Sequence, residues 1–221
     1  MKPYYQDKWV TIYHGNCQEI LPRLDVKVDL VLTDIPFNVK KQYGMYQDDL
    51  PLEEYIVFID SVFGSLPLAE VNSVLIKVPT LYLPYLRFGG LTYKWTLGFY
   101  TPNSMKSFSK GFNQLGLVLW LYQNQPLKVN FANDVYWHNR DGNLRSDGEK
   151  HPNPMDISFV ERLIADYSES NNLVLDPFLG SGTTCFCAKK LNRYSVGIEI
   201  EERYAEIAAK RCSQEVMEFN L

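Results

Sequence analysis

At 221 residues, the chain is long enough for one domain to bury a substantial core, and its hydrophobic (46%) and charged (22%) fractions sit near globular averages. No apolar run reaches membrane-spanning length, and the opening MKPYYQDKWV lacks the apolar centre of a signal peptide, so a cytoplasmic protein with no membrane association is expected. The net charge of −4 argues against a uniformly basic, polyanion-coating protein, and the four cysteines (Cys17, Cys185, Cys187, Cys212) contain no C-x-x-C pair. Cys185 and Cys187, two apart on an expected helix, face different ways, so buried reduced thiols and no metal are expected.

In chain order, residues 8–14 (KWVTIYH) alternate as a strand, Gly15-Asn16-Cys17 turns the chain, and a short helix is expected over 18–24. Residues 28–33 (VDLVLT) have the composition of a buried parallel strand. It ends in Asp34-Ile35-Pro36-Phe37: an acid, a proline-stiffened turn and an aromatic, at the strand end where open α/β sheets bind ligands. Residues 38–49 are polar and loop-like, with Lys40 and Lys41 as candidate phosphate contacts. A helix is expected over 53–66 and a buried strand over 71–78. Further strands are expected over 92–100 and 117–123, with a turn at 111–116 before the second, and a last strand or hairpin over 131–138.

From Val71 to Asn133 there is no Asp or Glu, while Lys77, Arg87, Lys94, Lys106, Lys110 and Lys128 alternate with aromatics. Such interleaving suits a polyanion with stackable bases, with Lys94 and Lys106 as candidate contacts, but it equally suits a sheet whose aromatics are core. After a turn-rich loop over 139–149, Lys150-His151-Pro152 leads into an amphipathic helix over 157–167.

The most informative stretch is Leu173 to Thr184, LVLDPFLGSGTT. An apolar strand ends in Asp176-Pro177. A glycine turn, Gly180-Ser181-Gly182, follows, and Thr183-Thr184 opens a helix running to 191. A second strand, 194–200, brings Glu199 to a point ~20 residues after the glycine turn, where nucleotide-binding sheets place the acid that takes a ribose hydroxyl pair. The third glycine of a dinucleotide fingerprint and the lysine of a phosphate P-loop are both missing. The C-terminal helix, 202–216, is expected to serve packing alone.

DPFLGSGTT with VGIEIEERY a helix later, and DIPF preceding both, resemble the two signature boxes of S-adenosylmethionine-dependent DNA amino-methyltransferases, which act on adenine N6 or cytosine N4. The order of the boxes resembles the permuted, β-type arrangement. The likeness runs through 13–37, 74–79, 150–164 and 173–204. It implies a Rossmann-like methyltransferase fold: an α/β domain over 1–221 with a mostly parallel seven-stranded sheet flanked by helices. It further implies S-adenosylmethionine at Asn16, Asp34, His151, Asp176, Phe178, Gly180, Ser181, Gly182, Thr183, Glu199 and Ile200. The transfer itself falls to Asp34, Ile35, Pro36 and Phe37. Two positions depart from the family: Ile35 stands where proline is usual, and Asn16 where an acid contacts the cofactor adenine.

The resemblance implies double-stranded DNA as partner, with the target base flipped out, because an exocyclic amine cannot be reached inside a duplex. Asp at the head of the box leans toward adenine N6 within the family. Cytosine N4 is the alternative, RNA is a further substrate to weigh, and a non-catalytic cofactor-binding subunit is the rival from another class. A nicotinamide dehydrogenase ranks third. Only about 25 residues (125–150) stand where relatives carry a recognition domain. A homodimer or a partner subunit fits that shortage.

Overall fold

The computed structural model describes residues 1–38, 41–43, 46–100, 107–108, 111–112, 115–129, 133–137 and 155–214. The chain opens with β1 (Tyr5–Gln6), β2 (Val10–His14), helix α1 (Cys17–Ile20) with a 3-10 turn over Leu21–Arg23, and β3 (Val28–Asp34). Then come β4 (Lys41–Tyr43), β5 (Tyr46–Asp48), α2 (Leu52–Gly64), β6 (Leu68–Val78), β7 (Thr92–Tyr100), β8 (Ser107–Phe108) and β9 (Gly111–Phe112). The remainder is β10 (Leu115–Tyr122), β11 (Gln125–Pro126), β12 (Val135–Trp137), α3 (Ile157–Tyr167), β13 (Leu173–Asp176), α4 (Thr183–Lys190), β14 (Tyr194–Glu199) and α5 (Glu202–Ser213).

Among the described residues, nine strands of the main sheet run in the order β1-β2-β14-β13-β3-β6-β10-β7-β12, and β11 adds to β6. From β2 to β6 all neighbours are parallel, whereas β10 lies antiparallel to both β6 and β7. The expected seven-stranded sheet is therefore present as β2, β14, β13, β3, β6, β10 and β7, extended by the short β1, β11 and β12 into a ten-stranded one. The fold is Rossmann-like α/β, as expected.

Period-2 alternation buries both sheet faces. Val31, Val74, Ile76, Leu119 and Leu175 face one way, into a core shared with Tyr55, Ile59, Val62 and Phe63 of α2. Leu30, Leu32, Leu75, Val118 and Val174 face the other, against Phe159, Val160, Leu163 and Ile164 of α3 and Cys187 and Ala188 of α4. Cys185 joins a third cluster with Val10, Ile12 and Ala208, so the two neighbouring thiols do point apart. All four cysteines are free and buried. Among the described residues no group of three or more His, Cys, Asp or Glu is placed to hold a metal, and no helix is long and apolar enough to cross a membrane.

Several expected boundaries shift for local reasons. The helix expected over 18–24 ends at Ile20, because Pro22 has no N–H to continue an α-helical ladder, and the chain tightens into a 3-10 turn. α2 stops at Gly64, three residues ahead of Pro67. Part of the turn expected at 111–116 is strand: β9 pairs antiparallel with β8, and β10 begins at Leu115. Only Val135–Trp137 of the hairpin expected at 131–138 is strand among the described residues. The aromatic stretch divides. Tyr82 and Phe88 pack on the first core cluster and Phe99 on the second, while Tyr85, Tyr93 and Trp95 are exposed.

Candidate active site

The strand order reverses between β13 and β3: from β3 the chain steps to β6, and from β13 it steps to β14 on the other side. Loops leaving the carboxyl ends of these strands diverge there and open a cleft, the general position of ligands in open α/β sheets. The cleft is a cavity of about 330 Å³, lined among others by Asn16, Asp34, Phe37, Phe178, Gly180 and Glu199. That volume lies at the small end of the ~300–1,000 Å³ range of small-molecule sites.

Ile35, Pro36, Asp176, Ser181, Thr183 and Ile200 line the same cavity. Two motifs separated by about 140 residues in the chain thus share one wall, because β3 and β13 pair in parallel, Val174 with Leu30 and Leu175 with Val31. His151, Lys40 and Lys106 lie outside the described residues, as does the side chain of Lys41. Lys94 does not join the site. It is exposed on β7 beside the bulge that separates the Trp95–Trp120 pair from Tyr93–Leu121. Trp120 pairs in turn with Leu75, two residues back along β6 from Lys77, so Lys94 lies toward the amino end of the sheet.

The glycine turn is a small hydrogen-bonded device. The Glu199 carboxylate, only 8% exposed, accepts from the amides of Gly180 (2.7 Å) and Glu201 (2.8 Å). Burial pushes its pKa up to about 6 although both amides favour the charged form. Asp176 is buried more deeply. It accepts from the hydroxyls of Thr33 (2.6 Å) and Thr184 (2.7 Å) and from the Phe178 amide (3.1 Å), and burial again pushes it up to about 6. Asp176 therefore clamps β3, its own loop and α4 together while lining the cavity. Gly182 differs from the other expected cofactor residues. It does not line the cavity; it caps α4 at φ 84°, and an added Cβ would sit 2.7 Å from Ala208 Cβ of α5. Asn16 caps α1, its side-chain oxygen accepting from the Gln18 amide at 3.0 Å.

The Asp34–Phe37 box is held from several directions. Ile35 is 1% exposed, packs into the first core cluster and is among the residues that line the cavity. The Pro36 carbonyl accepts from the hydroxyl of the fully buried Tyr55 at 2.5 Å. Asn38, in the left-handed region at φ 51°, exchanges two hydrogen bonds with the Leu50 backbone (2.8 and 2.7 Å), closing the base of the loop between them. Lys77 of β6 stands in register with Asp34 and donates to its Oδ2 at 2.5 Å, the two side chains being 12% and 21% exposed. Removing one member of so enclosed a pair typically costs about 3–5 kcal/mol.

Sequence reasoning did not single out Tyr55 or Arg211, and it placed Lys77 only in the stretch of basic and aromatic residues, not in the site. Arg211 of α5 donates to Thr183 Oγ1 at 2.8 Å, tying the start of α4 to α5. Tyr55 and Arg211 carry no local signal, being ordinary members of amphipathic helices. Lys77 does: a lone charge in the apolar run VLIKV, on a strand buried on both faces, needs a partner.

A parallel sheet reversed at its centre, a glycine turn and a carboxylate at the end of the next strand define an α/β enzyme for a nucleoside-bearing cofactor. A DNA methylase family model, that of the N6/N4 methyltransferases, matches residues 124–210. The type II methyltransferase M.ScaI of Streptomyces caespitosus is 31% identical over 97% of this chain and 84% of its own length. The chain belongs to this family of type II DNA amino-methyltransferases, the modification enzymes of restriction–modification systems. Among solved structures, PvuII DNA methyltransferase (cytosine-N4-specific) superposes with a TM-score of 0.80 at 19% identity, covering 98% of this chain and 90% of its own. The M1.HpyAVI–SAM complex gives 0.73 at 24% identity, covering 93% and 100%. At these identities both are likenesses of fold. M1.HpyAVI was solved as a complex with S-adenosylmethionine, the cofactor expected of the methyltransferase family to which this chain belongs.

Proposed function

We propose that this chain transfers a methyl group from S-adenosylmethionine to the N6 amine of adenine in double-stranded DNA, acting as one methyltransferase domain over 1–221. The observation that carries the reading is that the Asp34–Phe37 box and the Gly180–Glu199 device open into one cavity. The cavity residues fit the cofactor by chemistry: Glu199 is a buried acceptor for ribose hydroxyls, Phe178 offers an aromatic wall, and the Gly180–Thr183 turn brings main chain to the cavity surface. When bound, the cofactor supplies an electrophilic methyl on a sulfonium.

The chain's own residues do the rest. An exocyclic amine is a weak nucleophile because its lone pair is delocalised into the ring. Asp34 and the Ile35 carbonyl each accept one N–H and turn that lone pair toward the methyl. Asp34 also stabilises the positive charge that develops on nitrogen and receives the proton, directly or through water. Phe37 stacks on the flipped base. Replacing the usual proline by Ile35 leaves this intact, since its side chain lies in the core and the role belongs to its carbonyl. That favours an active enzyme over a non-catalytic subunit.

Cytosine N4 presents the same physical problem, and the N4-specific PvuII enzyme shares the fold; it remains the second reading. The deciding experiment is transfer of labelled methyl from S-adenosylmethionine to unmethylated genomic DNA, with the modified nucleoside identified after digestion. N6-methyladenine is the expected product. N4-methylcytosine would move the mechanism to the other base, and no label with cofactor bound would sink the reading.

A further inference from the structure

We propose that Lys77 is a positioning residue of the transfer, setting the orientation of both Asp34 and Phe37 before the base arrives; the inference rests on the methyltransferase reading above. Lys77 sits on β6, in register with Asp34 on β3, in a strand whose neighbouring residues are buried and apolar. Its side chain is only 12% exposed. An apolar residue of similar volume would serve the core at least as well, because an ammonium withdrawn from water must recover its hydration. A lysine here therefore calls for a role in the site rather than in the core.

Its contacts supply one. Nζ donates to Asp34 Oδ2 at 2.5 Å, which fixes the rotation of the carboxylate. The same nitrogen lies 5.3 Å from the Phe37 ring centroid and 5.9 Å from that of Phe99, within cation–π range of both. One ammonium thus touches the acceptor of the target amine and the ring on which the base stacks. The ammonium lies over one face of the Phe37 ring. Its charge opposes the positive charge developing on the amine, so its contribution is geometric. A displacement of about 1 Å at a reacting pair costs on the order of 100-fold in rate, and losing the Lys77 donor removes a contact that sets the rotation of the carboxylate.

The test uses the full chain and three variants: Lys77→Met, Lys77→Gln, which keeps a donor for Oδ2 without the charge, and Lys77→Arg. Single-turnover methyl transfer to DNA is read alongside cofactor affinity and the melting curve. Expected are a 30-fold or greater loss of transfer in K77M with the cofactor constant within threefold of wild type, and recovery of at least a tenth of the wild-type rate in K77R or K77Q. Should K77M not fold, the comparison passes to K77Q and K77R. Either of them exceeding a tenth of the wild-type rate, with K77Q below K77R or equal to it, supports positioning; both falling below a hundredth while still melting cooperatively overturns it. Transfer in K77M within threefold of wild type also overturns it, as does a parallel loss of cofactor binding and rate. A wild-type protein inactive on DNA would instead remove the methyltransferase reading, a distinct outcome.

Discussion

Asp34 and Glu199 divide the chemistry of the site, and each makes a separable prediction. Replacing Asp34 by Ala should abolish methyl transfer while leaving cofactor affinity within a few-fold, measured by single-turnover assay and calorimetry; a large loss of binding would mean the carboxylate holds the cofactor. Glu199 should make binding pH-dependent. Burial raises it from 4.5 to about 6, so above pH 6 it is a carboxylate able to accept ribose hydroxyls, and below that it holds a proton on one of those oxygens. Affinity for S-adenosylmethionine should therefore fall about tenfold (~1.4 kcal/mol) between pH 7 and pH 5. The Glu199→Gln variant should bind more weakly at pH 7 and show a smaller dependence, Asp176 being a second cavity carboxylate raised to about 6. A flat wild-type profile would remove Glu199 from the cofactor contact. Both acids were legible in the sequence because each stands at a strand end within a spaced motif. Lys77 was not legible as a partner of Asp34, since 43 residues separate them and only the β3–β6 register brings them together.

At the scale of elements, the glycine turn was legible as a motif, but the duties of its two glycines were not. Gly180, at φ 56°, turns its amide onto Glu199. Gly182 instead lets α4 lie against α5, and that contact depends on a helix beginning twenty residues later. Gly182→Ala adds a Cβ 2.7 Å from Ala208 Cβ in a conformation that L side chains rarely adopt. The expected cost is about 1–3 kcal/mol, lowering the melting temperature by roughly 2–12 °C at 2–4 °C per kcal/mol. Adding Ala208→Gly should restore only part of the loss, removing the contact with the Ala208 Cβ while the 2.8 Å approach to its Cα and the backbone strain remain; full recovery in the double variant would mean that neither the backbone contact nor the strain limits this position. The longer elements follow their hydrophobic period closely: Thr92–Tyr100 and Ile157–Tyr167 form with the bounds their sequence suggests. The two-residue β11 carries no period to detect and forms because Gln125 and Pro126 run alongside Val71 and Asn72.

For the whole molecule, the chain's two ends build the centre of one sheet together. N-terminal β2 and β3 flank C-terminal β14 and β13, so neither pair finds its neighbours without the other. Asp176 sits at this junction, joined to Thr33 across 143 residues and to Thr184 at the start of α4. Its burial links stability to pH with a definite sign. The folded state holds the proton more tightly than the unfolded chain, with a pKa of about 6 against 3.8. Below about pH 4 both states are protonated and no penalty applies. As the pH rises through 6 the carboxylate must ionise in a dry setting, and stability on the order of 3 kcal/mol is lost. Asp176→Asn cannot ionise and keeps an oxygen for Thr33 and the Phe178 amide. The melting temperature of the variant relative to wild type should therefore rise from pH 4 to pH 6 and level off above, whatever fixed offset the lost Thr184 bond introduces. A difference that stays constant across that range would mean that the three hydrogen bonds to Asp176 offset its burial, and that the junction between the two ends of the chain is held by a carboxylate already ionised at pH 4.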